Sequence, residues 1–217
     1  MTPITVTVGP LASAAANNIC LSQTPGAAGA LTLNGALVVS GVAVLDTPRR
    51  VLITAAADES SHTFTIAGTN WSGNSITETI TGPNATTAQS VLDYATVTSI
   101  KISAAATGAL TVGTNGVASS AWVRLDPWSN SYTSIQCNVS GTVNYTIQAT
   151  LDNPDSPMSS TTAANVTWVN SSDTNVVNAT TTQQSNFGFV PIFARVLLNS
   201  GTGTVTTRFV QSGVVNR

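Results

Sequence analysis

Charge is what this sequence has least of. Among 217 residues only seven are Lys or Arg and nine are Asp or Glu, 7% in all with a net charge of −2, against roughly a quarter in an ordinary soluble domain. Apart from the neighbours Arg49 and Arg50 the cations are scattered, so no basic stripe exists to neutralise phosphates and nucleic acid is a poor partner. Histidine occurs once, at His62, which excludes any acid–base or metal scheme needing two imidazoles. Cys20 and Cys137 are the only cysteines; far apart and outside any CxxC spacing, they indicate neither a disulfide framework nor a zinc site and read as two reduced, buried thiols. No run approaches the ~20 apolar residues of a membrane span. The first residues lack the basic start and apolar block of a signal peptide, so the expectation is a product that collects in the cytoplasm before it is used.

Hydrophobic residues make up 42%, enough for a core, and the surface that charge does not cover falls to Thr, Ser, Asn and Gly. Hydroxyls and amides cost less to desolvate at an interface than unpaired ions do, so such a surface suits lasting burial in an assembly. Disorder is excluded by the abundance of β-branched residues and the scarcity of charge.

The dominant pattern is period-two alternation bounded by Gly, Pro and Asn, which predicts an all-β chain. Val143, Tyr145, Ile147, Ala149 and Leu151 share one face of a strand, while Asn144, Thr146, Gln148, Thr150 and Asp152 share a face expected to be wet. Val190, Ile192, Ala194, Val196 and Leu198 form a second run; residues 199–203 then read as the Gly-bearing loop of a hairpin returning along 205–211. Shorter strands are expected around 51–53, 63–67, 75–81, 97–102 and 109–112, and the stretch 86–93 admits a single helical turn. Glu78 shares the parity of Ile76 and Ile80 and is read as an inward charge guarding a sheet edge. Gly113, Asn115 and Gly116 make a plausible hinge, which divides the chain into modules at 31–117 and 118–217. Residues 1–30, with Pro3, Pro10, Pro25 and Gly26, read as an extended arm that a neighbouring subunit would have to hold.

Reactive constellations are scarce. The run Asp58-Glu59-Ser60-Ser61-His62 offers carboxylates, hydroxyls and an imidazole, yet matches no metal spacing and lacks the Gly-x-Ser-x-Gly elbow of a triad enzyme, so it is read as a solvated loop. Asp152-Asn153-Pro154-Asp155 lacks the alternating acids of a calcium loop and is read as an Asx-type turn. No catalytic residue, cofactor, metal or small-molecule substrate is expected. Tyr145 is assigned to the core, whereas Trp71, in the turn 68–74, is the best candidate for an exposed aromatic at a subunit contact.

Two segments resemble proteins from the structural gene clusters of tailed bacteriophages. Trp122-Val-Arg-Leu-Asp-Pro-Trp128, Val139-Ser-Gly-Thr-Val-Asn-Tyr-Thr-Ile-Gln148, Phe189-Val-Pro-Ile-Phe-Ala-Arg195 and Phe209-Val-Gln-Ser-Gly213 are similar to a recurrent virion β module. Phe64-Thr-Ile-Ala-Gly68, Glu78-Thr-Ile-Thr-Gly-Pro83 and Val97-Thr-Ser-Ile100 are similar to its usual companion. The family pattern often carries a Thr and an acidic pair after the position of Gln148; this chain has Ala149-Thr-Leu-Asp-Asn153, with one acid, which weakens any carry-over of calcium binding. The resemblance implies two jelly-roll-like β-sandwich modules in a capsid decoration or cement protein, made in the host cytoplasm. Its partners would be copies of itself and the major capsid protein, without nucleic acid or membrane. Trp71, Trp128, Pro10 and Leu11 are the expected interface residues. A tail, neck or baseplate position, or a glycan-binding adhesin, is the alternative.

Overall fold

Alternation becomes strand almost everywhere the sequence shows it. The computed structural model describes residues 3–126 and 132–211. In chain order the strands are β1 (Ile4–Val8), β2 (Ala15–Gln23), β3 (Gly29–Ala30), β4 (Val38–Val39), β5 (Val42–Ala55), β6 (Thr63–Thr69), β7 (Ser75–Thr81), β8 (Thr87–Gln89), β9 (Tyr94–Ile102), β10 (Leu110–Ser119), β11 (Val123–Arg124), β12 (Thr133–Ser140), β13 (Val143–Thr150), β14 (Val169–Asn170), β15 (Gln183–Phe187), β16 (Phe193–Gly201) and β17 (Thr204–Gln211). Among the described residues the only helical element is a 3-10 turn at Thr174–Val176. The chain is all-β, and it divides into two compact units: Ala12–Gly116, and Met1–Leu11 together with Val117–Arg217.

The second of these units is a sandwich of two antiparallel sheets. One sheet has the order β1-β17-β12-β15; the other runs β14-β13-β16 and ends on β11. The strand facing β16 on that side is interrupted: Ala118 and Ser119 pair with Leu198 and Leu197, and Val123 and Arg124 with Ala194 and Phe193. Counted along the chain, the eight strands lie in the orders 1-8-3-6 and 2-7-4-5, the double Greek key of a jelly roll. The inward residues of both sheets, among them Val8, Ile135, Phe187, Val205 and Phe209 from one and Val143, Tyr145, Ile147, Val196 and Leu198 from the other, make a single core.

The expected hairpin at 199–203 does not form. β16 and β17 lie in different sheets, and the connection crosses the sandwich. Local sequence cannot distinguish the two, but the packing explains the glycines: a Cβ on Gly201 would sit 2.3 Å from the Thr142 carbonyl oxygen, and one on Gly203 2.3 Å from that of Ser140. Two sheet-crossing turns are stacked there, with the Thr202 and Gly203 amides donating to Thr142 O.

Residues 1–30 are likewise not a free arm. β1 pairs with β17 over its whole length, from Ile4↔Phe209 to Val8↔Val205, and β2 pairs with β10 and buries Ile19 and Cys20. The alternation Ile4-Thr-Val-Thr-Val8 outweighs the prolines that flank it. Burial pushes the Cys20 thiol up to about 12 and raises that of Cys137 as well; both cysteines are free.

The unit Ala12–Gly116 is built on the strand order β10-β5-β9-β6-β7, with β2 on β10, β3 on β9, and β4 and β8 on β5. Three expectations fall in this unit. Residues Gly113–Gly116 are part of strand β10, and the division between the two units falls just after them, between Gly116 and Val117; Gly113 is required where a Cβ would fall 1.8 Å from the Ala15 carbonyl oxygen of β2. Residues 86–93 hold β8, paired with Leu52–Thr54, rather than a helical turn. Glu78 does lie on β7, the strand at the end of the order, but its carboxylate is no bare charge: it accepts from the Val91 amide at 3.0 Å and the Leu92 amide at 3.1 Å.

Candidate functional site

The acids of this chain serve its own turns. Glu59, expected in a solvated loop, is 0% exposed; its Oε1 accepts from the amides of Thr107 (2.7 Å) and Gly108 (2.9 Å), and its Oε2 lies 2.6 Å from His62 Nδ1. A strand end that must turn twice within a few residues leaves amides without ladder partners, and a buried carboxylate satisfies them with strong bonds. Arg50 is held by Asp93 at 2.6 Å, Arg49 by Asp46 at 3.1 Å, and Arg124 by Asp155 at 3.4 Å. Asp152 Oδ2 accepts from the Thr167 amide, and Asp58 and Asp173 accept from the amides of Ser60 and Asn175. Those last two carboxyls sit below the ordinary range, Asp58 through its hydrogen bonds from Ser60 and Asp173 through the Asn175 amide. Among the described residues no three His, Cys, Asp or Glu side chains come together as a metal site.

The outer faces of the jelly roll contrast sharply. That of β13 was expected to be wet, yet Thr146, Gln148 and Thr150 are all buried, as is Arg195 on the neighbouring β16. The connection from 151 to 182 pairs along the edge of β13 and reaches over this face with its side chains. Ala179 exchanges both backbone hydrogen bonds with Tyr145, and the Ser171 amide donates to Ile147 O. Arg195 Nε donates to Gln148 Oε1 (2.9 Å), whose amide donates to Asn170 Oδ1 (2.9 Å), while the guanidinium stacks 4.3 Å from the Trp168 ring centre. Trp122 meets Trp168 edge-on at 5.1 Å. A second polar cluster centres on Asn199, which donates to Asn144, Thr146 and Asn178. Leu151, assigned to the core face, instead lies past the end of β13 and is 69% exposed. With Val169 and Phe189, also exposed, it borders an apolar groove of about 210 Å³ floored by Ala149 and Phe187.

Among the described residues no segment of this kind covers the opposite sheet. In register across its strands stand Thr5, Arg208, Gln136 and Gln184, one residue from each of β1, β17, β12 and β15. Alternation turns Val205, Thr207 and Phe209 inward and these four outward. Arg208, Gln136 and Gln184 border a depression of about 390 Å³ that Pro3, Ser134, Ile135, Ser185 and Val210 complete. Arg208 makes no ion pair or hydrogen bond with any described residue, in a chain whose other described arginines are each engaged.

The expected interface residues scatter over this framework. Trp71 is 39% exposed at the tip of the β6–β7 hairpin, where Asn70 Oδ1 accepts from the amides of Ser72 and Asn74. Pro10 is exposed, and Leu11 packs against the jelly-roll core. Trp128 lies outside the described residues. Sequence reading missed both the apolar groove and the Arg208 row, since each depends on pairing between distant strands. Comparison with protein families, characterised proteins and solved structures finds no match to this chain.

Proposed function

We propose that the chain is a non-enzymatic structural protein of a bacteriophage virion, a decoration or cement protein that binds the major capsid protein and copies of itself. One observation carries the reading. Most of the few charges are turned to internal work while Leu151, Val169 and Phe189 stand exposed around an open apolar groove. A surface so arranged adheres by area and shape, and desolvating it at a contact strands almost no ions. The resemblance of the C-terminal half to virion modules supports it, and so does the jelly roll, an architecture that capsid and lectin domains share. Fold by itself does not assign function, so the weight rests on the surface chemistry.

The same surface argues against catalysis. His62, the one imidazole, is bound to a buried glutamate, and that glutamate is committed to two backbone amides. The test is stoichiometry and attachment. Purified virions should carry the protein in hundreds of copies per particle, a few to dozens being the mark of a tail part. Leu151→Glu combined with Val169→Glu should abolish loading onto particles that lack the protein, and attachment of the unaltered chain should survive high salt. A protein that remains monomeric and never co-purifies with particles refutes the proposal.

A further inference from the structure

The sheet β1-β17-β12-β15 has a chemistry that the capsid-binding reading leaves unused. We infer that its depression is a binding site for a carboxylate-bearing saccharide, with Arg208 receiving the carboxylate and Gln136 and Gln184 receiving ring hydroxyls. Three observations converge on it. The depression, at about 390 Å³, falls within the size range of small-ligand sites. Its lining interleaves the amide, hydroxyl and guanidinium groups of Ser134, Gln136, Gln184, Ser185 and Arg208 with apolar surface from Pro3, Ile135 and Val210, and no described lining residue is aromatic, whereas protein interfaces centre on aromatic anchors. A polyhydroxylated ligand is the class whose own surface answers that lining.

The third observation concerns charge. Among the described residues Arg208 is the arginine without an ion pair or hydrogen bond, and no Asp or Glu lines the depression. A guanidinium presents a planar fork that matches a carboxylate bidentately, so the site asks for one anionic group flanked by neutral hydrogen-bonding ones. Its spacing fits as well. Arg208, Gln136 and Gln184 stand on three adjacent strands in one register row, about 4.8 Å apart, which is close to the width of a sugar ring. A chain of rings laid across the strands would meet one side chain per strand. The inference stands apart from the capsid assignment: either can fail without the other.

The experiment is calorimetric titration of the full-length protein with oligogalacturonate, oligomannuronate and oligosialic acid, with methyl-esterified oligogalacturonate and dextran as neutral controls. Saturable binding to at least one acidic oligomer is expected, at least tenfold weaker for its neutral counterpart. Arg208→Gln should weaken it by about ten- to hundredfold, the range of a hydrogen bond to a charged group, with an unchanged circular dichroism spectrum and melting temperature. Gln136→Ala with Gln184→Ala should weaken it too, whereas Lys101→Gln, which removes an exposed cation elsewhere, should not. Absence of saturable binding to all three acidic oligomers, equal affinity for the ester, or full affinity in Arg208→Gln overturns the inference. Equally tight binding of a glutamate-rich peptide through Arg208 also overturns it, in favour of a protein carboxylate as the ligand.

Discussion

The backbone carbonyls of Ala12 and Asn115 meet at one guanidinium. Arg49 donates to Ala12 O at 2.9 Å and to Asn115 O, while Asp46 neutralises it at 3.1 Å. Ala12 and Asn115 stand at the two ends of the unit Ala12–Gly116, which is inserted in the jelly roll between its first and second strands. An insertion is tolerated when its ends leave and return at nearly the same place, and here a single side chain, 1% exposed, ties them.

Arg49→Met should therefore cost about 2–4 kcal/mol, because it keeps most of the volume but orphans two carbonyls and the Asp46 partner. Urea unfolding measures it. A loss below about 0.5 kcal/mol, ordinary for a surface substitution, would show that the clamp contributes nothing.

Trp168→Ala tests the roof over β13 and β16. It removes the face on which Arg195 stacks and the edge contact to Trp122, at an expected cost of about 2–3 kcal/mol. Limited proteolysis should then cut within 151–182 at least tenfold faster than in the unaltered chain, while leaving the strands intact.

Glu78 predicts a pH effect of unusual sign. Burial lifts its carboxyl above the ordinary 4.5, outweighing the hydrogen bonds from Leu92 and Val91. The folded chain thus holds this proton more tightly than the unfolded chain does. Its contribution is fully present below 4.5 and is lost as pH rises through the folded value. Melting temperatures from about pH 4 to about pH 7 should show Glu78→Gln gaining on the unaltered protein as pH rises. A difference that is flat or of opposite slope contradicts the assignment.

How far the fold could be read from the sequence depended on the range of the pairing involved. The alternation of Val143, Tyr145 and Ile147 identified a core face because that signal is local. The opposite face of the same strand was misjudged, since Gln148 is polar and nothing near it reveals that Asn170 and Arg195 satisfy it. Asn199-Ser-Gly-Thr-Gly203 has hairpin chemistry, but the choice between returning alongside β16 and crossing the sandwich rests on Thr142, some sixty residues earlier. Short β1 was hidden between prolines, and its partner comes at the far end of the chain. Arg208 gave a faint local signal, a cation on the polar face of an alternating strand with no acid nearby. That it stands beside Gln136 and Gln184 follows only from a three-strand register.

The pairing of β1 with β17 joins residue 4 to residue 209, which sets an order of events on the ribosome. The inserted unit is complete when Gly116 has cleared the exit tunnel, whereas β1 must wait until β17 has been made. At ~5–20 residues per second the interval between making Val8 and Thr204 is roughly ten to forty seconds. During it, Ile4-Thr-Val-Thr-Val8 is an unsatisfied strand tethered to a finished neighbour, and in a crowd of nascent copies it is the segment most exposed to capture by another chain's β17.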